Sequence, residues 1–182
     1  MKKLFLIIII ILFSNIVNAQ NTIIIKEGMP FDTIIKLVTY KEVVKQKGTA
    51  DEFYLRAISW IGATYENAEA VTSKRDRDNG IIEGKTRFKL YTIDKSGNKF
   101  EAGNISYKIL LECKEGRYRF TFNNFNHDMM SRFPAEKWLN KKDIAYNPNW
   151  DSYLKQIDDY MKALIVKLNK SMRPEVKIDD TW

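Results

Sequence analysis

The sequence predicts an α+β domain in which a five-stranded antiparallel sheet carries two helices on one face. Two segments have the apolar spacing of helices, four strand-like segments joined by turns lie between them, and one strand precedes the first helix. Consecutive strands joined by short turns pair antiparallel, which gives the order β-α-β-β-β-β-α. Each amphipathic helix has to bury its apolar stripe, and we expect both helices on the same face. The opposite face of the sheet is then open.

The chain begins with the features of a secretory signal. Lys2 and Lys3 precede an unbroken apolar run at residues 4–13, and a more polar stretch ends at Ala19 with modest side chains at the cleavage positions. The run is about half the ~20 residues that a membrane-spanning helix needs. We therefore expect residues 1–19 to be a cleaved signal peptide. The mature chain is then exported to the periplasm or the exterior, with no transmembrane segment.

The mature chain, beginning at Gln20, is moderately basic and has one cysteine. Removal of Lys2 and Lys3 leaves 28 basic residues against 23 acidic ones, a net charge near +5. The basic residues are interleaved with acids, which favours a solvated surface or attraction to anionic envelope polymers over a nucleic-acid partner. Cys113 is the only cysteine, so no disulfide can form within the chain.

The remaining sequence is organised as one domain. Residues 20–32 are polar at first and contain a glycine and a proline, which predicts an N-terminal linker. The domain is expected at residues 33–172, a normal single-domain length, and a C-terminal tail at residues 173–182. The first strand, residues 33–45, is rich in Ile, Val, Thr and Tyr, the residues that suit a pleated surface.

A capping box marks the start of the first helix. Thr49 is followed three residues later by Glu52, the spacing at which each side chain accepts a hydrogen bond from the other residue's backbone. We expect a helix from this point to about Tyr65. The residues at helical spacing along it are Phe53, Ala57, Trp60, Ile61 and Thr64.

Four strands are expected between the two helices. Asn79-Gly80 is typical of a hairpin turn between the first two, and a polar loop at residues 94–103 separates the second from the third. The predicted segments are residues 68–76, which have the weakest pattern, 81–93, 105–113 and a fourth strand from Tyr118.

The hairpin between the last two of these strands has a predicted register. A two-residue turn at Glu115-Gly116 puts Glu112 opposite Arg119 on one face, an opposite-charge pair. The apolar pairs on the other face are Cys113 with Tyr118, Leu111 with Phe120 and Ile109 with Phe122. Both faces therefore favour the same register.

The second helix follows a long loop. Residues 128–146 show little periodicity and leave room for one helical turn at most. Asn147-Pro148 suits a helix start, and apolar residues then step by four and three positions, which predicts an amphipathic helix. The stripe consists of Trp150, Leu154, Ile157, Met161, Leu164 and Leu168.

Several motifs along these elements match a known family. They are the strand-to-helix passage Tyr40-Lys41-Glu42-Val43-Val44, then Thr49 and Tyr54, Trp60-Ile61 in mid-helix, and the hairpin strand Gly80-Ile81-Ile82-Glu83-Gly84-Lys85. Over roughly residues 33–170 the chain resembles an exported bacterial domain of unknown function with a TATA-binding-protein-like (TBP-like) fold. The resemblance implies a curved antiparallel sheet backed by two helices. That family carries no known catalytic or binding residues, so none is transferred.

The side of the sheet away from the helices is expected to be polar and basic. Its candidate binding residues are Lys85, Arg87, Lys89, Tyr91, Lys108, Arg119 and Asn123. DNA-binding sheets of this kind wedge apolar side chains into the minor groove, and this face has no phenylalanine wedge, so we expect no nucleic-acid partner. Trp138 and Tyr146, outside the regular elements, are candidate loop anchors for a partner, or covers for the edge of the core.

No catalytic or metal-binding motif is present. His127, the only histidine, and Cys113 are the residue types of a nucleophile and its base, but alternation turns Cys113 into the core as a small apolar residue. The turns at residues 76–80 and 94–98 lack the ligand spacing of a calcium loop. We expect no cofactor and no bound metal.

These observations predict an exported, non-enzymatic domain that binds a protein or an anionic envelope component through its open sheet face or its long loop. Two alternatives stay open. A hydrolase acting on envelope polymer would need two carboxylates brought within about 5–10 Å of each other by the fold. A structural subunit of an exported assembly would expose a large apolar patch.

Overall fold

The computed structural model describes residues 23–128 and 132–174. The predicted signal peptide at residues 1–19, and residues 175–182 of the predicted tail, lie outside the described residues. The strands are β1 (Ile23–Lys26), β2 (Met29–Asp32), β3 (Leu37–Lys45), β4 (Thr72–Asp76), β5 (Ile81–Ile93), β6 (Lys99–Lys114), β7 (Arg117–Asp128) and β8 (Arg132–Pro134). The helices are α1 (Ala50–Thr64), α2 (Ala68–Val71) and α3 (Asn149–Ser171), with a 3₁₀ helix at Ala135–Leu139.

The eight strands form one antiparallel sheet. Seven of them follow the order β1-β2-β3-β7-β6-β5-β4, and β8 pairs with β7. The predicted α+β class with an antiparallel sheet is confirmed, whereas the predicted number of five strands is wrong. The additional strands are β1, β2 and β8. All three are short and lie in segments that the sequence assigned to the linker and to the long loop.

The predicted linker at residues 20–32 contains a hairpin. Lys26 and Met29 pair across the end of β1 and β2, and the turn residues Glu27 and Gly28 have positive φ angles of 49° and 79°. Two-residue hairpin turns of type I′ require this conformation at both positions. Glutamate rarely adopts it, so the sequence lacks the usual asparagine-glycine signal. Met29 is buried, which joins this hairpin to the domain.

Three strands begin several residues away from their predicted starts. β3 begins at Leu37 instead of residue 33, and the other two differences have a local cause. The first part of the predicted strand at residues 68–76 is helix α2, where the Asn67 side chain accepts a hydrogen bond from the Ala70 N–H at 3.0 Å. β6 begins at Lys99, so the predicted loop shortens to residues 94–98. In both places an Asn or Asp side chain bonds the nearby backbone. Such local bonds compete with strand pairing and set where it stops.

The predicted register of the β6–β7 hairpin is confirmed. Its apolar pairs, Cys113 with Tyr118, Leu111 with Phe120 and Ile109 with Phe122, all occur. On the other face Arg119 lies opposite Glu112 and donates two hydrogen bonds to its carboxylate. The two-residue turn and the alternation of buried side chains therefore fix this hairpin together.

Both long helices pack on one face of the sheet. Thr49 and Glu52 form the predicted capping box of α1, with bonds of 3.1 and 2.8 Å. The predicted stripes of both helices are buried except for Thr64, which is half-buried. Aromatic pairs join the layers: Phe53 with Tyr118, Trp60 with Phe122, and Phe88 with Tyr160, whose rings stack with their centroids 4.0 Å apart. The opposite face of the sheet is therefore free to carry polar side chains.

Candidate functional site

The side of the sheet away from α1 and α3, here called the open face, brings the predicted binding residues together. Lys85, Arg87 and Lys89 project from β5, and Lys108 projects from the neighbouring β6. These four side chains are exposed. The remaining three predicted residues are half-buried: Tyr91, Arg119 and Asn123.

A single row of paired residues crosses the centre of the open face. Lys85 lies directly opposite Lys108, and Lys108 lies directly opposite Asn123 on β7. Side chains in such directly opposed positions start about 5 Å apart. Arg87 is two residues along β5 and faces the same way. The sheet register therefore places three cationic side chains next to each other.

The charges of the open face are paired at its margins and unpaired at this row. Arg119 bonds Glu112, and Lys89 bonds Glu101 at 2.8 Å; in each case the partner carboxylate raises the pKa of the basic group. Among the described residues, no carboxylate lies within salt-bridge distance of Lys85 and Lys108 in the row or of the adjacent Arg87. We call these three residues the cationic cluster.

A groove of about 680 Å³ runs beside the cationic cluster. Its β5 wall consists of Lys85, Thr86 and Arg87, while Tyr65, Asn67 and Val71 line it from the connection between α1 and α2. Tyr160 of α3 also borders the groove. This volume lies within the range of about 300–1,000 Å³ that is usual for binding clefts.

Tyr65, which lines the groove, is hydrogen-bonded to Tyr107 of β6. The hydroxyl groups of Tyr65 and Tyr107 are 3.0 Å apart, and burial raises the pKa of both phenols. They therefore stay neutral at physiological pH and act as hydrogen-bonding groups. Of the acids that border the groove, Asp128 accepts a hydrogen bond from the Ser106 hydroxyl at 3.0 Å, and Glu66 is exposed. No feature of these two acids favours the hydrolase alternative.

The structure separates the residues that resemble a nucleophile and its base. Cys113 pairs with Tyr118, whereas His127 pairs with Ile105. The two rungs are eight positions apart along β6, roughly 27 Å at about 3.4 Å per residue. Burial raises the pKa of the Cys113 thiol to about 12, so the thiolate is scarce. His127 is also buried, with its Nε2 atom 2.6 Å from the carbonyl oxygen of Ala102.

The candidate loop anchors mainly cover the core. Trp138 is only 1% exposed and packs against His127 and Phe133. Tyr146 is half-buried, and its hydroxyl donates to Asp151 at 3.1 Å. The structure therefore supports a role for Trp138 in covering the edge of the core. Its side chain is not exposed to a partner.

Within the described residues, no three His, Cys, Asp or Glu side chains are grouped so that they could hold a metal ion. The carboxylates of Asp76 and Asp94 instead accept hydrogen bonds from Asn79 and Asn98 in their own turns. Across the same described part of the chain, no helix has the length and apolar character needed to cross a membrane.

Comparison with known families identifies the domain. A family model described as "Domain of unknown function (DUF4468) with TBP-like fold" matches residues 40–128. This part of the chain belongs to the DUF4468 family. The resemblance inferred from the sequence is thereby confirmed. The match runs from β3 to the end of β7 and includes every candidate residue of the open face, but not α3 or the candidate loop anchors.

Solved structures support the same fold assignment for the DUF4468 domain. The chain is similar to a DUF4468 family protein from Bacteroides ovatus, with a TM-score of 0.60 and 14% identity over 78% of this chain and 90% of that one. It is also similar to a TBP-like protein from Parabacteroides distasonis, with a TM-score of 0.60 and 17% identity over 75% and 92% of the two chains. No curated protein matches the chain. The description of the family names no activity.

The sequence did not predict the helical side of the groove. Tyr65 is predicted only as the approximate end of the first helix, and the sequence pattern does not single out Tyr160. The available signal was the unequal length of the two predicted strands, residues 81–93 against residues 68–76, and the structure shortens the second of them to 5 residues. A long strand beside a short one leaves part of its edge without a partner.

Proposed function

We propose that this DUF4468 domain is an exported, non-enzymatic binding module whose open face holds an anionic component of the cell envelope. The predicted signal peptide supports export, and the basic charge of the mature chain supports an anionic partner. The cationic cluster, formed by Lys85, Arg87 and Lys108, is the part of the open face that would make the contact.

The observation that carries this proposal is the direct opposition of Lys85 and Lys108. Like charges directly opposite each other in a sheet are destabilising. On the neighbouring strand pair, β6 and β7, Arg119 faces Glu112, so this sheet also contains the stabilising arrangement. The two lysines of the row and the adjacent arginine form no salt bridge within the described residues, so their positive charges can bind an external anion.

Each charge of such a cluster is expected to contribute a small binding energy, and these energies add when several anionic groups of one polymer bind together. Two unit charges about 4 Å apart contribute roughly 1 kcal/mol in water. At physiological salt the screening length is about 8 Å, so only groups near the cluster contribute. Binding should therefore fall steeply when salt rises.

A retention experiment tests this proposal. The tagged mature domain is incubated with the solubilised envelope of its own cells, and retained material is compared between wild type and a triple alanine variant at Lys85, Arg87 and Lys108. A matched triple variant removes the same charge from other elements, at Lys142, Lys167 and Lys170, which are exposed. We expect retention by wild type and the control, and loss with the cluster variant. Equal retention by all three proteins would refute the role of the open face.

One observation favours a second candidate function, that of a subunit in an exported assembly. Ile24, Ile25 and Ile34 are 47%, 71% and 73% exposed, and they lie in and next to the hairpin at the β1 edge of the sheet. An exposed apolar edge strand is a template for pairing with another chain. Light scattering on the mature domain tests this candidate. A concentration-dependent dimer that Ile25→Lys abolishes would support it, and a monomer at all concentrations would contradict it.

A further inference from the structure

Strand β5 has a sheet edge that no strand covers. Its first residues, Ile81 to Gly84, pair with β4, but the register ends at the pair of Thr72 with Gly84. From Lys85 to Ile93, β5 pairs on its other side with β6, and within residues 23–128 and 132–174 no further strand pairs with it. The groove described above lies along the start of this open edge, at Lys85, Thr86 and Arg87.

The fold already pairs one residue of this edge with a substitute for a strand. The side-chain amide of Gln156, on α3, accepts a hydrogen bond from the Tyr91 N–H at 3.0 Å and donates one to the Tyr91 carbonyl at 2.7 Å. An amide side chain that bonds both groups reproduces the pairing of a neighbouring peptide unit. The peptide groups of Tyr91 therefore point away from β6, toward the edge.

Alternation extends this orientation along β5. In an antiparallel strand, every second residue directs its N–H and C=O groups to the same neighbour. Arg87 and Lys89 are four and two residues before Tyr91, so their peptide groups also point to the open edge. Among the described residues, no side chain bonds these groups as Gln156 bonds Tyr91. They are available to pair with an added strand.

The groove provides different surroundings for the two faces of an added strand. Lys85 and Arg87 lie on the open-face side, and within the described residues neither forms a salt bridge. Two acids also border the groove: Asp128, which accepts a hydrogen bond from Ser106, and the exposed Glu66. On the helix side, Thr86 and the aromatic ring of Tyr160 border the groove, and Tyr160 stacks on Phe88. Successive side chains of a strand point to opposite faces. Acidic side chains would therefore meet the cations, and apolar side chains would meet the aromatic side.

We propose that an extended peptide segment with alternating acidic and apolar residues binds in this groove by adding a strand to the free edge of β5. Strand addition uses main-chain hydrogen bonds for affinity and alternate side chains for specificity. Charge complementarity with Lys85 and Arg87 selects the acidic pattern. This inference rests on the proposed function, because it assigns to the cationic cluster a peptide as its anionic partner.

Charged residues on an edge strand have another recognised role, which is to prevent unwanted pairing. The two roles predict different behaviour. If Lys85 and Arg87 only protect the edge, the domain binds no acidic strand, and their replacement promotes self-association. If they recognise a strand, their replacement abolishes peptide binding and leaves the domain monomeric.

Fluorescence anisotropy with three labelled probes tests the proposal on the mature chain. The first probe is a hexapeptide of alternating Glu and Val, the second has Lys in place of Glu, and the third is the Glu-Val peptide with N-methyl groups on the amides of one edge. We expect binding of the Glu-Val peptide only. Because N-methylation keeps the charge and removes the donors, its effect isolates the main-chain contribution.

Two variants of Arg87 separate charge from backbone pairing. Arg87→Ala removes the charge and keeps the N–H, and Arg87→Pro also removes the N–H that points to the edge, where proline is tolerated. We expect a loss of affinity of about tenfold for Arg87→Ala and a further loss for Arg87→Pro. Amide hydrogen exchange gives a readout without a substitution, because added peptide should slow exchange at Arg87 and Lys89 in the wild-type protein.

The outcomes separate this inference from the proposed function. Equal binding of the N-methylated probe, or unchanged exchange at Arg87 and Lys89, would overturn strand addition. No binding of the Glu-Val peptide at millimolar concentration would also overturn it. In these cases the proposed function stands if the cluster variant still loses retention of envelope material. Equal retention by the cluster variant and wild type would instead overturn the proposed function.

Discussion

Lys85 is the residue whose replacement distinguishes a binding role from a structural one. It faces Lys108 directly, so Lys85→Ala removes a like-charge repulsion. We expect the free energy of unfolding, measured with urea at low salt, to rise by roughly 0.2–0.5 kcal/mol, while retention of envelope material falls. Lys142→Ala, at an exposed position outside the sheet, should change neither quantity. A clear loss of stability in Lys85→Ala would show that the side chain supports the fold.

Glu136 predicts a specific pH dependence of stability. Burial raises the pKa of its carboxyl in the folded protein, even though Glu136 accepts a hydrogen bond from the Val38 N–H at 2.8 Å. A raised folded pKa favours the protonated form in the fold, so the stability from this group is fully present below the unfolded pKa and is lost as pH rises through the folded value.

Glu136→Gln tests this dependence because the amide keeps the acceptor for Val38 and does not ionise. From about pH 4 to pH 7, where glutamate titrates, the stability of the variant relative to wild type should increase. Urea unfolding across this range measures the difference. Glu115→Gln, at an exposed turn position, is the control and should show no such trend. A constant difference between Glu136→Gln and wild type would contradict the assignment.

At the scale of the element, the capping box of α1 has a measurable contribution. Thr49→Ala removes the acceptor for the Glu52 N–H and should lower the free energy of unfolding by about 1 kcal/mol. Ser59→Ala, at an exposed position inside the same helix, controls for the change of side chain and should be neutral or slightly stabilising. Equal effects of the two substitutions would show that the cap contributes nothing.

Strand β6 has an irregular segment at which a glycine is required. Gly103 has a φ angle of 103°, and a Cβ atom there would lie 2.8 Å from the Nε2 atom of His127. Gly97 also has a positive φ angle, 86°, but a Cβ atom there would meet no heavy atom within 4 Å. Both substitutions by alanine strain the backbone, and only the first adds a collision.

Gly103→Ala should therefore destabilise the domain by about 1–3 kcal/mol more than Gly97→Ala, the usual cost of overpacking. Thermal or urea unfolding of the two variants gives the comparison directly. Because the backbone penalty is similar, the difference reports the contact between β6 and the buried His127. Similar stabilities of the two variants would mean that His127 moves aside without cost.

The sequence predicted those elements whose pattern is repeated several times. The register of β6 and β7 followed from apolar alternation on one face and a charge pair on the other, and the stripe of α3 has six members. The hairpin of β1 and β2 was missed because its turn uses Glu27 at a positive φ angle. Helix α2 was missed because a single side chain, Asn67, starts it. Features that depend on one residue leave no periodic signal.

At the scale of the whole molecule, alternation predicted the residues of the open face but not the groove beside it. The residues of the open face follow from the alternation of side chains along each strand, which has a period of two. The groove forms because β4 ends before β5 does and because the connection between α1 and α2 lies along the edge of β5 that β4 leaves uncovered. Both are consequences of tertiary packing, and Gln156 on α3 bonds Tyr91 from 65 residues away.

The fold name by itself would suggest a different partner. TBP-like sheets include DNA-binding proteins, but fold does not determine function. The open face of this domain differs from a DNA-wedging surface because exposed lysines and an arginine occupy the centre of its β5–β6 part. Together with the predicted export, this charge pattern supports our proposal of an anionic component of the envelope as the partner.

Co-sedimentation with isolated envelopes tests whether the cationic cluster forms the binding surface. The affinity of the mature domain is measured at about 50 and 200 mM salt, a range over which electrostatic screening strengthens markedly. We expect wild type and the triple control at Lys142, Lys167 and Lys170 to bind and to lose affinity with salt. The triple alanine variant at Lys85, Arg87 and Lys108 should bind at least tenfold more weakly. Equal affinities of that variant and wild type at both salt concentrations would show that the cationic cluster is not the binding surface.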